Sequence, residues 1–353
     1  MQRLVIGTYT EHMPHVRGEG KGVYFTEFDA ASGRIKQTGL VSGPRNPSFV
    51  AVSPGGKRLY AVQETFEKDS PELWAYALDD SGSKATFLNS VPSLGGEPCH
   101  VSLDPKGRFV FLANYGGGNA VCYPLGKNGE IINTPTVIQH TGTGPHKRQD
   151  RARVHSIHPD RDAAHVLVCD LGTDIVASYA LTGAGLASDK PVSSLKVTPA
   201  SGPRQLSFTP DGRFIVVIDE FTGFIDRFAY DRGKLAHKDR APTLPEGWTG
   251  ENIAAAVVIH PNGKFGYASN RGHDSIATFS CVPDQPLKVV GRQSEGVEFS
   301  RDIAIDPTGK HLLVANQNRH DIVTFAIDQA TGALKATGEV FRVPSPTCLA
   351  FVR

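Results

Sequence analysis

The chain has 353 residues, of which 39% are hydrophobic and 21% charged, so it can bury a sizeable core and is not a disordered polyampholyte. Its 37 Lys and Arg residues are balanced by 36 Asp and Glu residues, which gives a formal net charge of +1. This balance lacks the basic surface that binds phosphate backbones or anionic lipids, so neither nucleic acid nor a membrane is expected as a partner. Abundant Gly and Pro, together with short apolar runs, favour many short strands over helices.

The first residues give no sign of export. Only Leu4, Val5 and Ile6 form an apolar run before Gly7, which is too short for the core of a secretion signal. The cysteines contain no C-x-x-C pair and are expected to be buried thiols rather than disulfides or zinc ligands; they are Cys99, Cys122, Cys169, Cys281 and Cys348. We therefore expect a cytoplasmic protein with no metal site and no cofactor.

One sequence unit recurs along the chain. It reads P-x-x-Φ-x-Φ-(S/D)-P-x-G-(K/R)-x-Φ-x-Φ-A-N, with Φ apolar, and its copies begin at Pro47, Pro98, Val154, Pro203, Ala254 and Ser300. Each copy predicts two antiparallel strands joined by a Pro-x-Gly turn, although the third copy is degenerate and has Arg161 at the turn proline. A third strand with an aromatic residue is predicted at Trp74–Tyr76, Val121–Tyr123, Val176–Tyr179, Ile225–Phe228, Ile276–Phe279 and Ile322–Phe325. A fourth strand of weaker pattern follows, and the spacing of roughly 50 residues is that of propeller blades.

Half a copy stands at each end of the chain. The segment LVIGTYT from Leu4 supplies only a second strand, and PTCLAFVR from Pro346 supplies only a first strand. Pairing these two strands closes a radial array of sheets without a free edge. The sequence therefore predicts an all-β fold: one seven-bladed β-propeller domain over residues 1–353, with four-stranded antiparallel blades and a ring closed by N- and C-terminal strands that share one blade. We number the complete copies blades 1 to 6 and call the shared one the closing blade.

Repeat geometry gathers polar residues at one mouth of the central channel. In a propeller blade the first strand lines the channel and the second returns beside it, so the start of the first and the end of the second lie at the same mouth. The position after the start of each unit is held by Ser48, Cys99, His155, Arg204, Ala255, Arg301 and Thr347. The position after the Asn is held by Tyr9, Glu64, Tyr115, Leu171, Glu220, Arg271 and Gln317. Such a mouth suits a small anionic ligand held by arginines, although the same arginines could form ordinary ion pairs with Asp219, Glu220 or Asp302.

Several phrases of the sequence are similar to those of a known family. They include IGTYT from Ile6, PCHVSLDPKGRFVFLANYGGGN from Pro98, QHTGTGPHKRQ from Gln139, GPR from Gly202 and NRGHDSIATF from Asn270. In this order, over essentially the full chain, they resemble the seven-bladed β-propeller lactonases, which include propeller-type 6-phosphogluconolactonases and carboxymuconate lactonizing enzymes. The resemblance implies hydrolysis of a small anionic sugar lactone, most closely 6-phosphogluconolactone, in carbohydrate metabolism. Because the sequence contains no His-x-His or His-Glu-x-x-His cluster, we expect this hydrolysis to be metal-independent. A carboxymuconate-type lactonizing cycloisomerase and a non-enzymatic propeller scaffold remain alternatives.

The resemblance also implies a catalytic set, which falls on His155, Arg204, Glu220 and Arg271. His155 is expected to be the general base or acid with Glu220 as its partner, while the arginines bind the substrate anion and the developing oxyanion. Arg301, Tyr115 and Gln317 are further candidates for substrate binding. Family members often carry histidines where this chain has Arg153 and Gln205, which leaves the substrate open.

Two other features bear on these alternatives. Scaffold propellers of the WD type repeat a Trp-Asp dipeptide in each blade, whereas this chain has only Trp74 and Trp248, in neither case followed by Asp. The long loop before the third unit carries His140 and His146 and is expected to reach toward the same mouth, where it could form a lid.

Overall fold

Six antiparallel sheets follow one another along the chain, and a seventh joins its two ends. The structure is a computed structural model that describes residues 1–352; Arg353, which the repeat places at a turn, lies outside the described residues. Before the first complete blade come β1 (Gln2–Thr8), β2 (His12–Met13), β3 (Val16–Arg17), β4 (Val23–Asp29) and β5 (Arg34–Val41). Blade 1 contains β6 (Val50–Val52), β7 (Arg58–Val62), β8 (Glu72–Leu78) and β9 (Ala85–Pro92), and a 3-10 turn at Glu67–Asp69 lies between β7 and β8.

The next blades repeat this order. Blade 2 contains β10 (Pro98–Leu103), β11 (Phe109–Asn114), β12 (Asn119–Pro124) and β13 (Thr136–Gln139). Blade 3 contains β14 (Val154–Pro159), β15 (His165–Asp170), β16 (Ile175–Thr182), the short β17 (Gly185–Leu186) and β18 (Ser193–Lys196). Blade 4 contains β19 (Pro203–Phe208), β20 (Phe214–Asp219), β21 (Phe224–Asp231) and β22 (Lys234–Pro242). Blade 5 contains β23 (Ile253–Ile259), β24 (Phe265–Arg271), β25 (Ser275–Ser280) and β26 (Lys288–Gln293), and blade 6 contains β27 (Ser300–Ile305), β28 (His311–Asn316), β29 (Asp321–Ile327) and β30 (Leu334–Arg342).

The closing blade has the predicted composition. Its strand order is β31 (Pro346–Phe351), β1, β4 and β5, so its innermost strand comes from the C-terminal end and its other strands from the N-terminal end. Strands β1 and β31 run antiparallel, with Ile6 opposite Leu349 and Val5 opposite Ala350. The seven-bladed propeller with a shared blade is therefore confirmed.

Turn chemistry explains why the repeat folds this way. The glycine of the Pro-x-Gly turn has a left-handed backbone, with φ of 67° at Gly107 and 74° at Gly309, which only glycine adopts freely. The asparagine that ends the second strand ties it to the third, since Asn114 Nδ2 donates to Asn119 Oδ1 at 2.7 Å and Asn316 Nδ2 donates to Asp321 Oδ1 at 2.8 Å. The repeat motif thus encodes both ends of the second strand.

The apolar core lies between neighbouring blades. On one side of the closing blade Ile6 packs in a buried cluster with Leu313 of blade 6, and on the other Val5 packs with Leu59 of blade 1. All five cysteines are buried free thiols, as expected from their spacing. None of the described residues belongs to a helix long and apolar enough to span a bilayer.

Candidate active site

A cavity of about 280 Å³ opens at one mouth of the channel. Its walls come from the start of the innermost strands, the end of the second strands and two loops; the lining residues are His15, Glu64, Glu97, Cys99, Tyr115, Arg148, His155, Arg204, Glu220, Ile253, Arg271, Phe299 and Arg301. All four residues of the predicted catalytic set line this one cavity. The convergence that the repeat geometry predicted for these four residues is therefore confirmed.

Glu220 lies at the centre of an arginine cluster. It follows β20 and its Oε2 accepts hydrogen bonds from Arg204 Nε at 2.9 Å and Arg271 Nη2 at 3.2 Å, while its Oε1 accepts from Arg148 Nη1 at 2.6 Å. Burial alone would raise the pKa of Glu220, but the charges of Arg271, Arg148 and Arg204 outweigh it and hold that pKa well below its usual range. The carboxylate is therefore ionised and fixes three guanidinium groups around the cavity.

His155 lies on β14 in a buried pocket beside Tyr115. The two rings meet edge to face, with centroids 5.6 Å apart, and His155 Nδ1 lies 3.8 Å from Cys99 Sγ. Burial, reinforced by the nearby charge of Arg204, lowers the pKa of His155 well below its ordinary value. The imidazole is therefore neutral at physiological pH and able to accept a proton.

The expected pairing of His155 with Glu220 is not seen. Among residues 1–352 no hydrogen bond joins the two side chains, and the carboxylate of Glu220 accepts from Arg148, Arg204 and Arg271 instead. A charged guanidinium binds a carboxylate more strongly than a neutral imidazole does. Glu220 thus acts on the arginines, and its effect on His155 is through space.

A second network spans the seam between blade 6 and blade 1. Arg301 Nη2 donates to the Tyr9 hydroxyl at 2.6 Å, and that hydroxyl donates to Glu64 Oε1 at 2.7 Å. The Ser48 hydroxyl donates to the other carboxylate oxygen of Glu64. Tyr9 is fully buried, and this burial raises the pKa of its phenol well above the ordinary value. The network fixes Arg301 in the cavity wall. Arg301 belongs to blade 6, which lies across the ring from blade 2 with Cys99 and Tyr115.

The candidates for substrate binding have different outcomes. Arg301 and Tyr115 line the cavity, whereas Gln317 does not: it is buried and its Nε2 donates to Asn318 Oδ1 at 2.9 Å. Arg153 and Gln205, the two positions at which the sequence departs from the family, lie near this cavity but do not line it. The guanidinium of Arg153 lies 4.7 Å from the centroid of the Tyr115 ring, and Gln205 lines a narrower space deeper in the channel.

Sequence reasoning missed Arg148, which comes from the loop between blades 2 and 3. Besides Glu220, it reaches the Tyr115 hydroxyl at 3.1 Å. The loop does extend to the mouth as expected, anchored by His140, which contacts Asp170 Oδ2 at 2.9 Å, and by His146, whose ring stacks on Phe221. The signals for Arg148 were the Lys-Arg pair and the family phrase that contains it, but the loop lies outside the repeat unit.

Glu97 and His15 were also missed. Glu97 is the residue just before β10 and His15 lies between the short strands β2 and β3, so neither occupies one of the two repeat positions used to assemble the mouth. Glu97 would have been found by including the residue that precedes each unit.

The arrangement can stabilise negative charge and move a proton. Arginines on three blades and one loop face a cavity that also contains a neutral histidine, and fixed cations of this kind stabilise an oxyanion. No three His, Cys, Asp or Glu side chains of residues 1–352 are grouped as ligands of one metal ion. This combination of propeller fold and polar cavity is that of an enzyme acting on a small molecule.

Comparison with known proteins agrees with this class. The chain belongs to the seven-bladed β-propeller lactonase family, whose profile, described as "Lactonase, 7-bladed beta-propeller", matches residues 3–351. A 6-phosphogluconolactonase of Bacillus subtilis is 29% identical over 350 residues, which cover 98% of this chain and 97% of that one. A 6-phosphogluconolactonase of Formosa agariphila is 30% identical over 341 residues, 94% of each chain.

A solved structure is similar over its whole length. The periplasmic gluconolactonase of Pseudomonas aeruginosa superimposes with a TM-score of 0.90 at 29% identity, covering 100% of this chain and 99% of that one. Family and relatives together identify a lactonase enzyme, so the alternative of a non-enzymatic scaffold is not supported.

Proposed function

We propose that this lactonase hydrolyses a small anionic sugar lactone of the 6-phosphogluconolactone type, by metal-independent acid-base catalysis at the arginine-lined mouth of the channel. The observation that carries the proposal is the convergence of Arg204, Arg271 and Arg148 on one carboxylate beside a neutral His155. The names of the similar proteins from Bacillus subtilis and Formosa agariphila support the choice of lactone.

His155 is the proposed proton acceptor for the attacking water. Its Nδ1 lies 3.8 Å from Cys99 Sγ, and no other side chain of residues 1–352 forms a hydrogen bond with the ring, so Nε2 is proposed to face a water molecule or the substrate. Attack of that water on the lactone carbonyl forms a tetrahedral oxyanion and leaves the proton on the imidazole. The same proton is then returned to the ring oxygen as the ester bond breaks.

The arginines are proposed to serve the anionic groups. Arg204 and Arg271 are both held by Glu220 Oε2, and their remaining N–H groups can bind the oxyanion or the acidic group of the substrate. Because these guanidinium groups are fixed before the substrate arrives, little reorganisation accompanies the chemical step. They supply the positive charge that a metal ion would supply in another lactonase.

The test is a panel of lactones with the purified full chain. Acid release is followed in a pH-stat with 6-phosphogluconolactone, glucono-δ-lactone and carboxymuconolactone, before and after exhaustive dialysis against a chelator. We expect turnover of the sugar lactones that survives chelation, and a loss of about 10²–10⁴-fold in kcat for His155→Ala. His12→Ala is the control, because this exposed histidine does not line the cavity.

Three results would contradict the proposal. A folded His155→Ala variant with unchanged kcat would show that His155 is not the proton acceptor. Activity lost on chelation and restored by a divalent ion would remove the metal-independent mechanism. Turnover of carboxymuconolactone alone would favour the cycloisomerase alternative.

A further inference from the structure

The charges around the cavity are divided between two sides of the ring. Arg204, Arg271 and Arg301 come from blades 4, 5 and 6, whereas Glu64 and Glu97 come from blades 1 and 2. Blades 1 and 2 lie across the ring from blades 4 and 5, so these three arginines form a basic side and the two glutamates an acidic side. The loop residue Arg148 lies between the two sides, since it contacts Tyr115 of blade 2 and Glu220 of blade 4. An anionic group of a ligand is attracted to the first side and repelled by the second.

The two acidic residues have different partners. Both carboxylate oxygens of Glu64 accept hydrogen bonds, from Tyr9 and Ser48. No hydrogen bond or ion pair among residues 1–352 involves the Glu97 carboxylate, although it lines the same cavity. Burial and the neighbouring charge of Glu64 raise the pKa of Glu97, and they outweigh the opposite effect of the charges of Arg153, Arg151 and Arg148. Of the two acidic residues, Glu97 is therefore the one whose carboxylate accepts no hydrogen bond from residues 1–352.

The backbone of Glu97 is left-handed, with φ of 52°. The fold imposes this conformation at the same position of other blades, immediately before the first residue of the repeat unit; the corresponding residues are Asn46, Gly202, Phe299 and Ser345, all with positive φ. Asn and Gly adopt it at the lowest cost, and a glutamate gains nothing locally from it. The backbone conformation therefore does not explain a glutamate at this position, and its unpaired carboxylate makes Glu97 a candidate for a functional role.

The packing around Glu97 leaves space for its carboxylate. A Cβ atom added at Gly116 would lie 2.7 Å from Glu97 Oε2, so the glycine after Tyr115 provides the space that the carboxylate occupies. The backbone N–H groups of Gly116 and Gly117 both donate to the carbonyl of Gly96, at 2.9 and 3.1 Å, which fixes this turn beside Glu97. The side chain is thus positioned by rigid backbone rather than by a polar partner.

We propose that Glu97 contacts the substrate and accepts hydrogen bonds from its ring hydroxyl groups, so that the site selects polyhydroxylated lactones over lactones that carry several carboxylates. A carboxylate is a strong acceptor for vicinal hydroxyl groups and repels a second carboxylate. The basic side then holds the acidic group and the oxyanion, and the acidic side holds the polyol. This inference rests on the proposed function and assigns the specificity of the same site.

The experiment compares Glu97→Ala, Glu97→Gln and Glu97→Asn with the wild-type chain on glucono-δ-lactone and on δ-valerolactone, which has no hydroxyl groups. We expect kcat/KM for glucono-δ-lactone to fall at least about tenfold in Glu97→Ala, with less than about a twofold change for δ-valerolactone. Glu97→Asn should unfold at the same or a higher temperature, because Asn is favoured at this φ, while losing activity on the sugar lactone. Glu295→Gln, which changes an exposed loop glutamate, is the matched control.

A binding measurement separates this inference from the proposed function. Calorimetric titration with gluconate and with valerate does not need turnover, and we expect Glu97→Ala to weaken gluconate binding alone. Sugar-lactone turnover that is unchanged in Glu97→Ala, or an equal loss on both lactones, would overturn the role of Glu97 and leave the proposed function standing. If the chain does not turn over sugar lactones but binds gluconate in a Glu97-dependent way, the proposed function alone is overturned. If it shows neither turnover nor Glu97-dependent binding, the proposed function and the role of Glu97 are both overturned.

Discussion

Arg148 donates a hydrogen bond of 2.6 Å to Glu220, although 72 positions separate the two residues along the chain. The same guanidinium reaches the Tyr115 hydroxyl at 3.1 Å and lies 5.2 Å from the centroid of the Phe221 ring. The loop between blades 2 and 3 is thereby fastened to blade 2 on one side and to blade 4 on the other. Arg148 is also the most exposed of the arginines on Glu220, with 39% of its side chain accessible, so it lies at the rim where a ligand enters.

Replacing this rim arginine should affect binding more than chemistry. In Arg148→Ala we expect a higher KM for an anionic lactone with a smaller change in kcat, because Arg204 and Arg271 still hold Glu220 and the oxyanion. The free energy of unfolding should change by less than about 1 kcal/mol, since the ion pair is partly solvated. Steady-state kinetics and urea unfolding measure the two effects. Arg232→Ala, at an exposed ion pair, is the control, and a drop in kcat with constant KM would contradict this assignment.

The pH dependence should report His155. Since burial and Arg204 lower its pKa below 6.5, the imidazole is unprotonated over the neutral range and a general base remains active there. We expect kcat/KM, corrected for spontaneous hydrolysis, to be flat between about pH 6.5 and 8 and to fall on the acid side as the ring gains a proton. An acid limb centred above pH 6.5 would mean that another group is the base.

Glu220→Gln should weaken both stability and catalysis. The carboxylate is only 2% exposed and its removal leaves Arg204 and Arg271 buried without their partner, which typically costs about 3–5 kcal/mol. Because the folded-state pKa of Glu220 is depressed, its contribution is fully present above its unfolded value near 4.5 and is lost as the pH falls below that value.

The difference in unfolding free energy between wild type and Glu220→Gln should therefore shrink between about pH 5 and pH 3. Urea unfolding at pH 7, 5 and 3 measures it, with Glu295→Gln as the solvent-exposed control. A difference that stays constant over this range would show that the ionised carboxylate does not stabilise the fold.

Removing residues 348–353 should open the ring. The deletion takes Leu349 from the cluster that it shares with Ile6 and leaves β1 without its neighbour on the channel side. We expect a lower Tm, a tendency to associate through the exposed edge and loss of lactonase activity. Val340→Ala, an exposed position on β30, is the control, and an unchanged Tm in the truncated chain would refute closure through the shared blade.

The fold could be predicted from the sequence because its signals are local and repeated. Even the degenerate third unit, with Arg161 in place of the turn proline, forms β14 and β15 as expected, since alternation and neighbouring blades determine the pairing. The family resemblance singled out His155, Arg204, Glu220 and Arg271, and the repeat geometry predicted their convergence, which their shared cavity confirms. Gln317 also occupies one of the repeat positions predicted to lie at this mouth but turns toward Asn318, a side-chain choice that the backbone repeat does not encode.

The remaining site residues depend on features that the repeat does not contain. Arg148 comes from a loop that occurs once, and its reach depends on contacts of His140 and His146 with distant residues. Glu220 pairs with three arginines instead of His155, because charged guanidinium groups bind a carboxylate more strongly than a neutral imidazole does. Which of these groups lies within hydrogen-bonding distance cannot be predicted from the sequence.

The hydrogen-bonded chain from Arg301 through Tyr9 to Glu64 crosses the joint at which the last strand meets the first. During synthesis β31 leaves the ribosome after every other strand of the propeller, so the nascent chain can pair the sheets of blades 1 to 6 before the joint exists. Arg301 and Glu64 reach their final distance only when the circle is complete. The charge geometry of this mouth therefore forms only after β31 has been synthesised, and a chain that lacks this strand carries most of the blades without that arrangement.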